Sequence, residues 1–345
     1  MDIRPQSKAV AYEISDKRKV RFTAQPGMYL SVEFNKDLTR PLFVFVDKPI
    51  PLPDLNDPNV IYFEPNKTYR IGQFDLKDNA IVYIGENTVV NGRFLVYDKE
   101  NVKIMGHGII NGIGMKNETR FLRSKNFEIN GVIVIGKNGW NTEVYDAENG
   151  RISNYKVLAS DEYSDGIDFM GSSDIIVDNY FCRNEDDGVA IKTKKNTYPA
   201  EGDVFDITFR NVIIWSGNRG NSIEIGYETN DYDIYNITFE NVDIIHRQTT
   251  QTKYHRAALS IHSAGNANIY NILYDNVRVE SCEENLVYFA HMNEPKWGEP
   301  GGSIHDVVVR NLTLLGGDDA TSVINTEVKG KHYDTKITFE NLNYK

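Results

Sequence analysis

Four aspartates in two short segments are the residues of this chain best suited to chemistry. Asp165 and Asp168 lie in the first segment, and Asp186 and Asp187 lie in the second, which starts about one structural repeat later in the sequence. Crowded carboxylates raise one another's pKa, so one keeps a proton while its neighbour stays ionised. Acetal cleavage needs such a pair, because one carboxyl protonates the leaving oxygen and another activates a water. The spacing therefore points to acid–base hydrolysis.

Each segment alone has a simpler interpretation. Asp-Gly pairs are common at turns, and clustered aspartates also hold calcium. Two segments one repeat apart favour a catalytic site over two unrelated turns. We predict a site with no metal and no cofactor, in which carboxyls ~6.5–9.5 Å apart leave room for a water and give inversion at the anomeric carbon.

A repeat of alternating apolar and polar residues indicates how the two segments are held together. Each copy ends in an asparagine, and successive asparagines are 24 to 35 residues apart. The series is Asn130, Asn154, Asn179, Asn211, Asn241, Asn276, Asn311 and Asn341. One such strand per step cannot bury its apolar face alone, but stacked copies form a continuous core. The pattern predicts an all-β solenoid, a parallel β-helix with asparagine at its corners, where left-handed backbone is tolerated.

The first 55 residues do not follow this repeat. Strand-like runs at residues 20–23, 29–34 and 42–46 precede a proline-rich stretch at residues 49–53. We predict a small β-sandwich-like domain of antiparallel strands and a linker over residues 1–55. This domain would cap or flank the N-terminal end of the solenoid, which would occupy residues 56–345, because an open solenoid end exposes a sheet edge.

Charge and composition exclude several kinds of partner. The net charge is −11 with no basic run, so nucleic acid is not an expected partner. No stretch reaches the ~18 apolar residues of a membrane span. The N-terminus has no apolar signal core, and we expect a secreted or periplasmic protein whose signal peptide has been removed. Two cysteines do not make a disulfide framework, and the sequence leaves the oligomeric state open.

The two acidic segments resemble the core signature of a known enzyme family. The first reads Tyr163-Ser164-Asp165-Gly166-Ile167-Asp168, and the second reads Glu185-Asp186-Asp187-Gly188-Val189-Ala190-Ile191-Lys192. Both are similar to glycoside hydrolase family 28, the polygalacturonase-like enzymes, and to the related family 49 of dextranases and isopullulanases. Residues 105–112 resemble the glycine-rich segment of these enzymes, and Trp140 stands where they often place an aromatic residue near the cleft. The resemblance covers roughly residues 55–345.

This resemblance implies a right-handed parallel β-helix that cleaves a polysaccharide or oligosaccharide. It implies that Asp186 is the general acid. It implies that Asp165 and Asp187 are the pair that positions and deprotonates the water. Asp168 resembles the acidic residue that lines the innermost subsite.

Two departures from the family pattern bear on the substrate. Asn221 stands where polygalacturonases carry the histidine of a Gly-His-Gly motif. The stretch Ala258-Leu259-Ser260-Ile261-His262 stands where they carry an Arg-Ile-Lys motif that grips the uronate carboxylate. A sugar carboxylate in a partly dry cleft needs a charge-assisted partner. Glu224, with Tyr227 and Glu228 near the rim of the cleft, would suit a neutral sugar instead, although Arg256 and His255 could supply a cation from a shifted position.

The leading prediction is inverting, metal-independent hydrolysis of a neutral, α-linked glycan of the dextran or pullulan type. The predicted substrate-binding residues are Asp168, Trp140, Asn221, Glu224, Tyr227, His262 and Arg256. Three alternatives remain open: a polygalacturonase-type pectin hydrolase with a modified uronate site, a polysaccharide lyase, and a non-catalytic carbohydrate-binding β-helix.

Overall fold

The structure, a computed structural model, describes residues 1–16, 19–115, 119–137, 139–193, 200–249, 255–317 and 320–344. These residues form 31 β-strands and one short 3-10 helix. Within the same ranges, no helix has the length and hydropathy that crossing a bilayer requires. The predicted all-β class is confirmed.

The N-terminal region consists of antiparallel strands. The strands are β1 (Asp2–Arg4), β2 (Tyr12–Asp16), β3 (Lys19–Phe22), β4 (Tyr29–Glu33) and β5 (Leu42–Phe45), and the 3-10 helix (Gln6–Lys8) lies between β1 and β2. Strands β1, β4 and β5 form a three-stranded sheet, and β2 pairs with β3. The antiparallel pairing agrees with the prediction, while the division into two domains at residue 55 stays a prediction.

All but two of the remaining strands wind into a parallel β-helix. The first coils contain β6 (Val60–Phe63), β7 (Thr68–Asp75), β8 (Ile81–Ile84), β9 (Val89–Tyr97), β10 (Lys103–Gly106), β11 (Ile109–Asn111), β12 (Thr119–Leu122), β13 (Lys125–Asn130), β14 (Ile133–Gly136) and β15 (Thr142–Tyr145). The central coils contain β16 (Glu148–Ala159), β17 (Ile167–Met170), β18 (Ser173–Asn184), β19 (Val189–Lys192), β20 (Val204–Ser216), β21 (Ile223–Tyr227), β22 (Ile234–Arg247) and β23 (Ala257–Ser263). The last coils contain β24 (Ile269–Val279), β25 (Asn285–His291), β26 (Ile304–Leu314), β27 (Thr321–Asn325), β30 (Thr335–Glu340) and β31 (Asn343–Tyr344). Between β27 and β30, strands β28 (Glu327–Val328) and β29 (Lys331–His332) form a separate antiparallel pair.

Three parallel sheets run along the helix. Each long strand from β16 to β26 bends at its middle, so its first half belongs to one sheet and its second half to the next. The third sheet is the stack of short strands β12, β15, β17, β19, β21, β23, β25 and β27. The polypeptide turns from the second sheet to the third immediately before each of these short strands, and the acidic segments lie in two of those turns.

Asparagine occupies the bend of most long strands, as the repeat predicts. Asn179, Asn211 and Asn241 have φ angles of 59°, 56° and 57°, a left-handed conformation that asparagine tolerates better than most residues. Their side chains also bond along the solenoid: Asn179 Nδ2 donates to Asn154 Oδ1 at 3.0 Å, and Asn241 Nδ2 donates to Asn211 Oδ1 at 2.6 Å. The predicted structural role of the repeated asparagine is confirmed.

The interior holds one continuous apolar core. Residues at the same position of successive coils stack on one another, as in Phe209, Phe239 and Tyr274, whose ring centroids are 4.7 and 5.1 Å apart. These contacts bury the apolar face that a single strand could not bury. The result is a rigid wall from which the turns before the third sheet project.

The N-terminal sheet packs against the side of the solenoid and does not cap its end. Tyr29 from this sheet shares an apolar cluster with Phe181 and Trp215 on the second sheet. Polar contacts surround the cluster: His246 Nε2 lies 2.9 Å from Glu33 Oε1 in a buried pair. The sequence predicted that this region caps or flanks the N-terminal end of the solenoid, whereas in the structure it flanks the central and later coils.

Candidate active site

The acidic segments occupy equivalent turns on neighbouring coils. Asp165 precedes β17 by two residues, and Asp186 and Asp187 directly precede the Gly188 that leads into β19. The backbone N of Gly166 donates to the carbonyl of Asp187 at 2.8 Å, and the N of Gly188 donates to the carbonyl of Asn221 at 2.9 Å. Asp165, Asp187 and Asn221 therefore stack one above another at the spacing of adjacent strands.

Glycine lets these turns approach closely. A Cβ added at Gly220 would lie 1.8 Å from the carbonyl carbon of Asp186, and one at Gly166 would lie 2.4 Å from the carbonyl oxygen of Gly188. Asn184 joins the same turns, since its Nδ2 donates to the carbonyls of Ser164 and Asp187 at 2.8 and 2.7 Å. The backbone thus fixes where the acidic side chains begin.

The three aspartates form a tight cluster. One carboxylate oxygen from each of Asp165, Asp186 and Asp187 lies within 4.8 Å of the other two. Asp165 and Asp187 are buried, and Asp186 is partly exposed to solvent. These closest oxygens are nearer than the ~6.5–9.5 Å separation expected for an inverting pair, so the spacing alone does not decide the stereochemistry.

The cluster holds its protons unequally. Burial, together with the charges of Asp165 and Asp187, raises the pKa of Asp186 well above its ordinary value. Burial, with the charges of Asp165 and Glu224, raises the pKa of Asp187 to about 7. The site therefore contains one carboxyl that favours its protonated form beside another that titrates near neutral pH.

Lys192 joins Asp165 to Asp168. Its Nζ donates to Asp165 Oδ2 at 2.9 Å and to Asp168 Oδ1 at 2.7 Å. The same Nζ lies 3.8 Å from the ring centroid of Trp140. Burial lowers the pKa of Lys192, but Asp165 and Asp168 outweigh it and leave that pKa well above its ordinary value. The lysine is a fixed cation on the floor of the site.

A cleft of about 400 Å³ opens over the three aspartates. Of the predicted substrate-binding residues, the structure places Trp140, Tyr227 and Arg256 in its lining. The other lining residues are Tyr163, Lys192, Arg219, Gly226, Glu228, His255, Met292, Glu294, Lys296 and Trp297. The cleft wall thus combines aromatic faces with charges of both signs.

Four of the predicted substrate-binding residues do not reach the cleft. Asp168, Asn221, Glu224 and His262 are fully buried beneath its floor and are not part of its lining. Their side chains bond to one another or to residues of the cluster. Asp168 pairs with Lys192, and the others form a network that leads to Asp187. These positions argue against direct contact between the four residues and a substrate.

Sequence reasoning missed several residues that the structure brings to the site. Lys192 ends the second acidic segment. It lies two residues after Ala190, so the period of two in a strand could have placed both side chains on the same face of β19. The cations Arg219 and Lys296 lie in irregular segments that carry no periodic signal.

His291, which lies near Trp297 in the sequence, is buried in β25 and stacks on Tyr333 with ring centroids 4.8 Å apart.

The three carboxylates are also the only group, within the ranges that the structure describes, with ligand atoms close enough to share a cation. The Nζ of Lys192 already provides positive charge at Asp165, and the raised pKa of Asp186 favours its neutral form. Both features make the cluster a poor metal site. Independence from metal stays a prediction.

The family profile described as "Glycosyl hydrolases family 28" matches residues 82–344. The chain belongs to glycosyl hydrolase family 28. It is therefore a glycosidase, and the resemblance noted for its two acidic segments is confirmed. The family 28 match begins in β8 and includes the whole aspartate cluster. Comparison with curated protein sequences finds no match to the chain.

Solved structures share the fold of this family 28 protein. A polygalacturonase from Erwinia carotovora ssp. carotovora is 17% identical, with a TM-score of 0.58 over 81% of this chain and 83% of that one. A family 28 exopolygalacturonase from Yersinia enterocolitica is 14% identical, with a TM-score of 0.57; the match covers 83% of this chain but 65% of that enzyme's length. Dex49A from Penicillium minioluteum is 16% identical, with a TM-score of 0.62 over 97% of this chain and 72% of that one. At these identities the likeness shows the fold, and the right-handed parallel β-helix is thereby confirmed.

Proposed function

We propose that this glycosidase hydrolyses a polysaccharide or oligosaccharide by inversion, with the three aspartates as its catalytic residues. Asp186 is the general acid that protonates the leaving oxygen. Asp165 and Asp187 hold the attacking water and remove its proton. The observation that carries the proposal is the cluster itself: three carboxylates within 4.8 Å of one another, one of which has a strongly raised pKa.

The surroundings of each aspartate suit its proposed role. Asp186 is the partly exposed member and can reach a substrate oxygen. Asp165 has one oxygen bonded to Lys192, and Asp187 has one oxygen bonded to the backbone and side-chain nitrogens of Asn221 at 2.7 and 3.1 Å. Fixed in this way, each can offer its other oxygen to a water. A carboxylate held by donors in this manner is better suited to orienting a water than to attacking a sugar, which supports inversion.

For the substrate, the first candidate is a neutral, α-linked glycan of the dextran or pullulan type. Its support is the loss of both family motifs that would bind a uronate, at Asn221 and at the stretch from Ala258 to Ser260. The aromatic lining residues Trp140, Tyr227 and Trp297 suit sugar rings of any charge. A glycan polymer also fits the prediction of a secreted or periplasmic enzyme, which stays a prediction.

One observation favours a second candidate, a glycan that carries carboxylates. Arg256 lines the cleft directly before β23, and Arg219 and Lys296 line it as well. Burial lowers the pKa of Arg256, but Asp187 and Tyr227 outweigh burial and raise that pKa above its ordinary value, so the guanidinium stays charged. A guanidinium in a cleft is a strong partner for a sugar carboxylate. Although the Arg-Ile-Lys motif is absent, Arg256, two residues before Ala258, supplies a cation to the cleft.

Product analysis separates these candidates. Wild-type protein and Asp186→Asn are incubated with dextran, pullulan and pectic galacturonan, in parallel reactions with calcium and with EDTA, and new reducing ends are measured. Turnover by the wild type and its loss in Asp186→Asn support the proposal, and the cleaved polymer identifies the substrate class. An unsaturated product, detected by its absorbance, would indicate a lyase. Glycan binding by the wild type without turnover would indicate a non-catalytic protein.

A further inference from the structure

A buried acid–histidine pair lies directly beneath the proposed catalytic cluster. Glu224 on β21 and His262 on the neighbouring strand β23 are both fully buried. The Nδ1 of His262 lies 2.9 and 2.8 Å from the two carboxylate oxygens of Glu224, and the hydroxyl of Ser260 also donates to Glu224. Neither Glu224 nor His262 lines the cleft. A buried ionisable pair is costly to desolvate, so this position suggests a role beyond packing.

Asn221 connects this pair to Asp187. Its Nδ2 donates to Glu224 Oε2 at 2.7 Å and to Asp187 Oδ1 at 3.1 Å, and its backbone N donates to the same Asp187 oxygen at 2.7 Å. Its Oδ1 accepts from the backbone N of Ala257 at 2.8 Å. Both amide protons and the amide oxygen therefore have a partner. A reversed amide would turn its oxygen toward two carboxylates, so Glu224 fixes the direction in which Asn221 donates.

The pair also supports the wall of the cleft. The imidazole of His262 stacks on Tyr227, with ring centroids 4.3 Å apart and planes 7° from parallel. On its other side it stacks on Tyr288, at 5.1 Å. Tyr227 lines the cleft, whereas His262 does not. The histidine is thus held in one orientation by two rings and one carboxylate.

We propose that Glu224 and His262 are positioning residues for Asp187, acting through Asn221. They fix Asp187 Oδ1 against the two nitrogens of Asn221 and leave Oδ2 for the attacking water. The charge of Glu224, a few ångströms away, strengthens Asp187 as a proton acceptor. The inference rests on the proposed role of Asp187 as part of the base, and it assigns Glu224 and His262 a place in the reaction without contact to the substrate.

The charges around Asp187 give the direction of the expected effect. Asp187 faces Asp165, Asp186 and Glu224, which disfavour its ionised form, and Lys192 and Arg256, which favour it. Around Glu224 itself, burial raises the pKa, but His262, Ser260 and Arg256 outweigh burial and lower it, so the group stays ionised. The hydroxyls of Tyr227 and Tyr274 also face Glu224. Removing the negative charge of Glu224 therefore lowers the pKa of Asp187.

The first test is the pH dependence of kcat/KM for Glu224→Gln. This change keeps the size of the side chain and removes its charge. We expect the acidic limb to move down by about one pH unit, as for the loss of a like charge near a carboxyl. We expect kcat to fall and KM to stay unchanged, because Glu224 does not contact substrate. An acidic limb that stays in place in Glu224→Gln would overturn the proposal.

Asn221→Ala is a second variant that tests the connection without altering a buried charge. It removes one donor to Asp187 Oδ1, so we expect the acidic limb to move up by about one pH unit, opposite to Glu224→Gln.

The part played by His262 is tested by a double-mutant cycle. His262→Gln should lower kcat by about tenfold in the wild-type background and by less than about twofold in the Glu224→Gln background. Equal effects in the two backgrounds, or an unmoved limb in Asn221→Ala, would contradict the connection.

The chain offers a matched control in the buried pair Glu33–His246, whose Nε2–Oε1 distance is 2.9 Å. Glu33→Gln removes a buried acid–histidine pair between the N-terminal sheet and the solenoid, and neither Glu33 nor His246 lines the cleft. We expect it to lower stability and to leave the acidic limb and kcat unchanged.

Failure of the proposed function and failure of this inference have different signatures. If the wild type cleaves no polymer in the panel, the proposed function fails, and the Asp187 carboxyl can still be titrated by NMR on aspartate-labelled protein, assigned with Asp187→Asn. Glu224→Gln should then lower the pKa of that carboxyl. Turnover by the wild type with no shift in Glu224→Gln would leave the function standing and refute the inference alone.

Discussion

The Nζ of Lys192 lies 2.9 Å from Oδ2 of Asp165, and both side chains are almost fully buried. This ion pair places a fixed positive charge on one side of the aspartate cluster. Asp186, on the side open to solvent, has a pKa well above its ordinary value because of burial and of the charges of Asp165 and Asp187. This asymmetry is the physical basis of the proposed roles, in which Asp186 donates a proton and the other two carboxyls orient and deprotonate a water.

Replacing Lys192 by Met should remove this asymmetry. Asp165 and Asp168 would be left as two buried carboxyls without their shared cation, and we expect kcat to fall by about 100-fold or more, as for the loss of an aligned acid–base group. The measurement is steady-state kinetics on the polymer that the wild type cleaves. Circular dichroism reports whether the variant folds.

Lys156 provides the matched control for this change. It is also a fully buried lysine, and its Nζ donates to Asp47 Oδ2 at 2.6 Å and to the carbonyl of Gly131 at 2.7 Å, away from the cleft. Lys156→Met should destabilise the protein and leave kcat unchanged. Similar losses of kcat in both variants would show that Lys192 matters only for folding.

The pH dependence of turnover should be bell-shaped. The pKa of Asp187 is raised to about 7, chiefly by burial, so its ionised form is lost as pH falls below that value, and kcat/KM should fall tenfold per pH unit. The pKa of Asp186 is raised well above its ordinary value, so this acid keeps its proton to a higher pH than an ordinary aspartate, and its ionisation gives the basic limb. Measuring kcat/KM between about pH 4 and pH 10 tests this. Activity that rises steadily into acid would be incompatible with these roles.

Arg256→Gln distinguishes the two substrate candidates. A charge-assisted hydrogen bond to a sugar carboxylate is worth ~1.5–3 kcal/mol, so KM for acidic oligosaccharides should rise at least about tenfold relative to neutral ones. Arg310→Gln, which changes an arginine paired with Asp275 on the outer surface, should alter neither. Equal effects of Arg256→Gln on acidic and neutral substrates would count against a uronate candidate.

The N-terminal sheet should stabilise the solenoid without entering catalysis. The ring of Phe45 lies 5.0 Å from that of Phe181 and 5.3 Å from that of Tyr29. Phe45→Ala should lower the free energy of unfolding by about 2–4 kcal/mol, measured in urea, and leave kcat unchanged. Leu52→Ala, which alters a half-exposed leucine in the proline-rich stretch, should change neither. Loss of turnover in folded Phe45→Ala protein would show that the sheet shapes the active site.

The solenoid was predictable because its signals are local and repeated. Each copy shows the alternation of one buried strand and ends in an asparagine, and Asn179 and Asn241 do adopt the left-handed bend that this residue tolerates. The acidic turns were predictable for a related reason, since segments one repeat apart must lie on adjacent coils. The placement of the N-terminal sheet was not, because its contacts with Phe181 and Trp215 join residues far apart in the sequence.

Which side chains face the cleft could be predicted only in part. Period two places Glu224 and His262 on the outer face of the third sheet, and both were expected to meet substrate. Whether such a residue reaches solvent depends on its neighbours on the adjacent coils, and here Tyr227 and Tyr288 cover the imidazole. Arg256 was also expected to bind substrate and does line the cleft, but its exact place in the wall was not predictable, because it lies in a turn whose path the alternation of apolar residues does not fix.

The central claim is that Asp165, Asp186 and Asp187 together hydrolyse a glycosidic bond with inversion. The most direct measurement is proton NMR of the first products formed by the wild type from an α-linked polymer, with Asp186→Asn as the control. The proposed mechanism predicts that the β-anomer appears first and that Asp186→Asn forms product at less than about a hundredth of the wild-type rate. An initial α-anomer, or an Asp186→Asn variant that retains most of the activity, would contradict it.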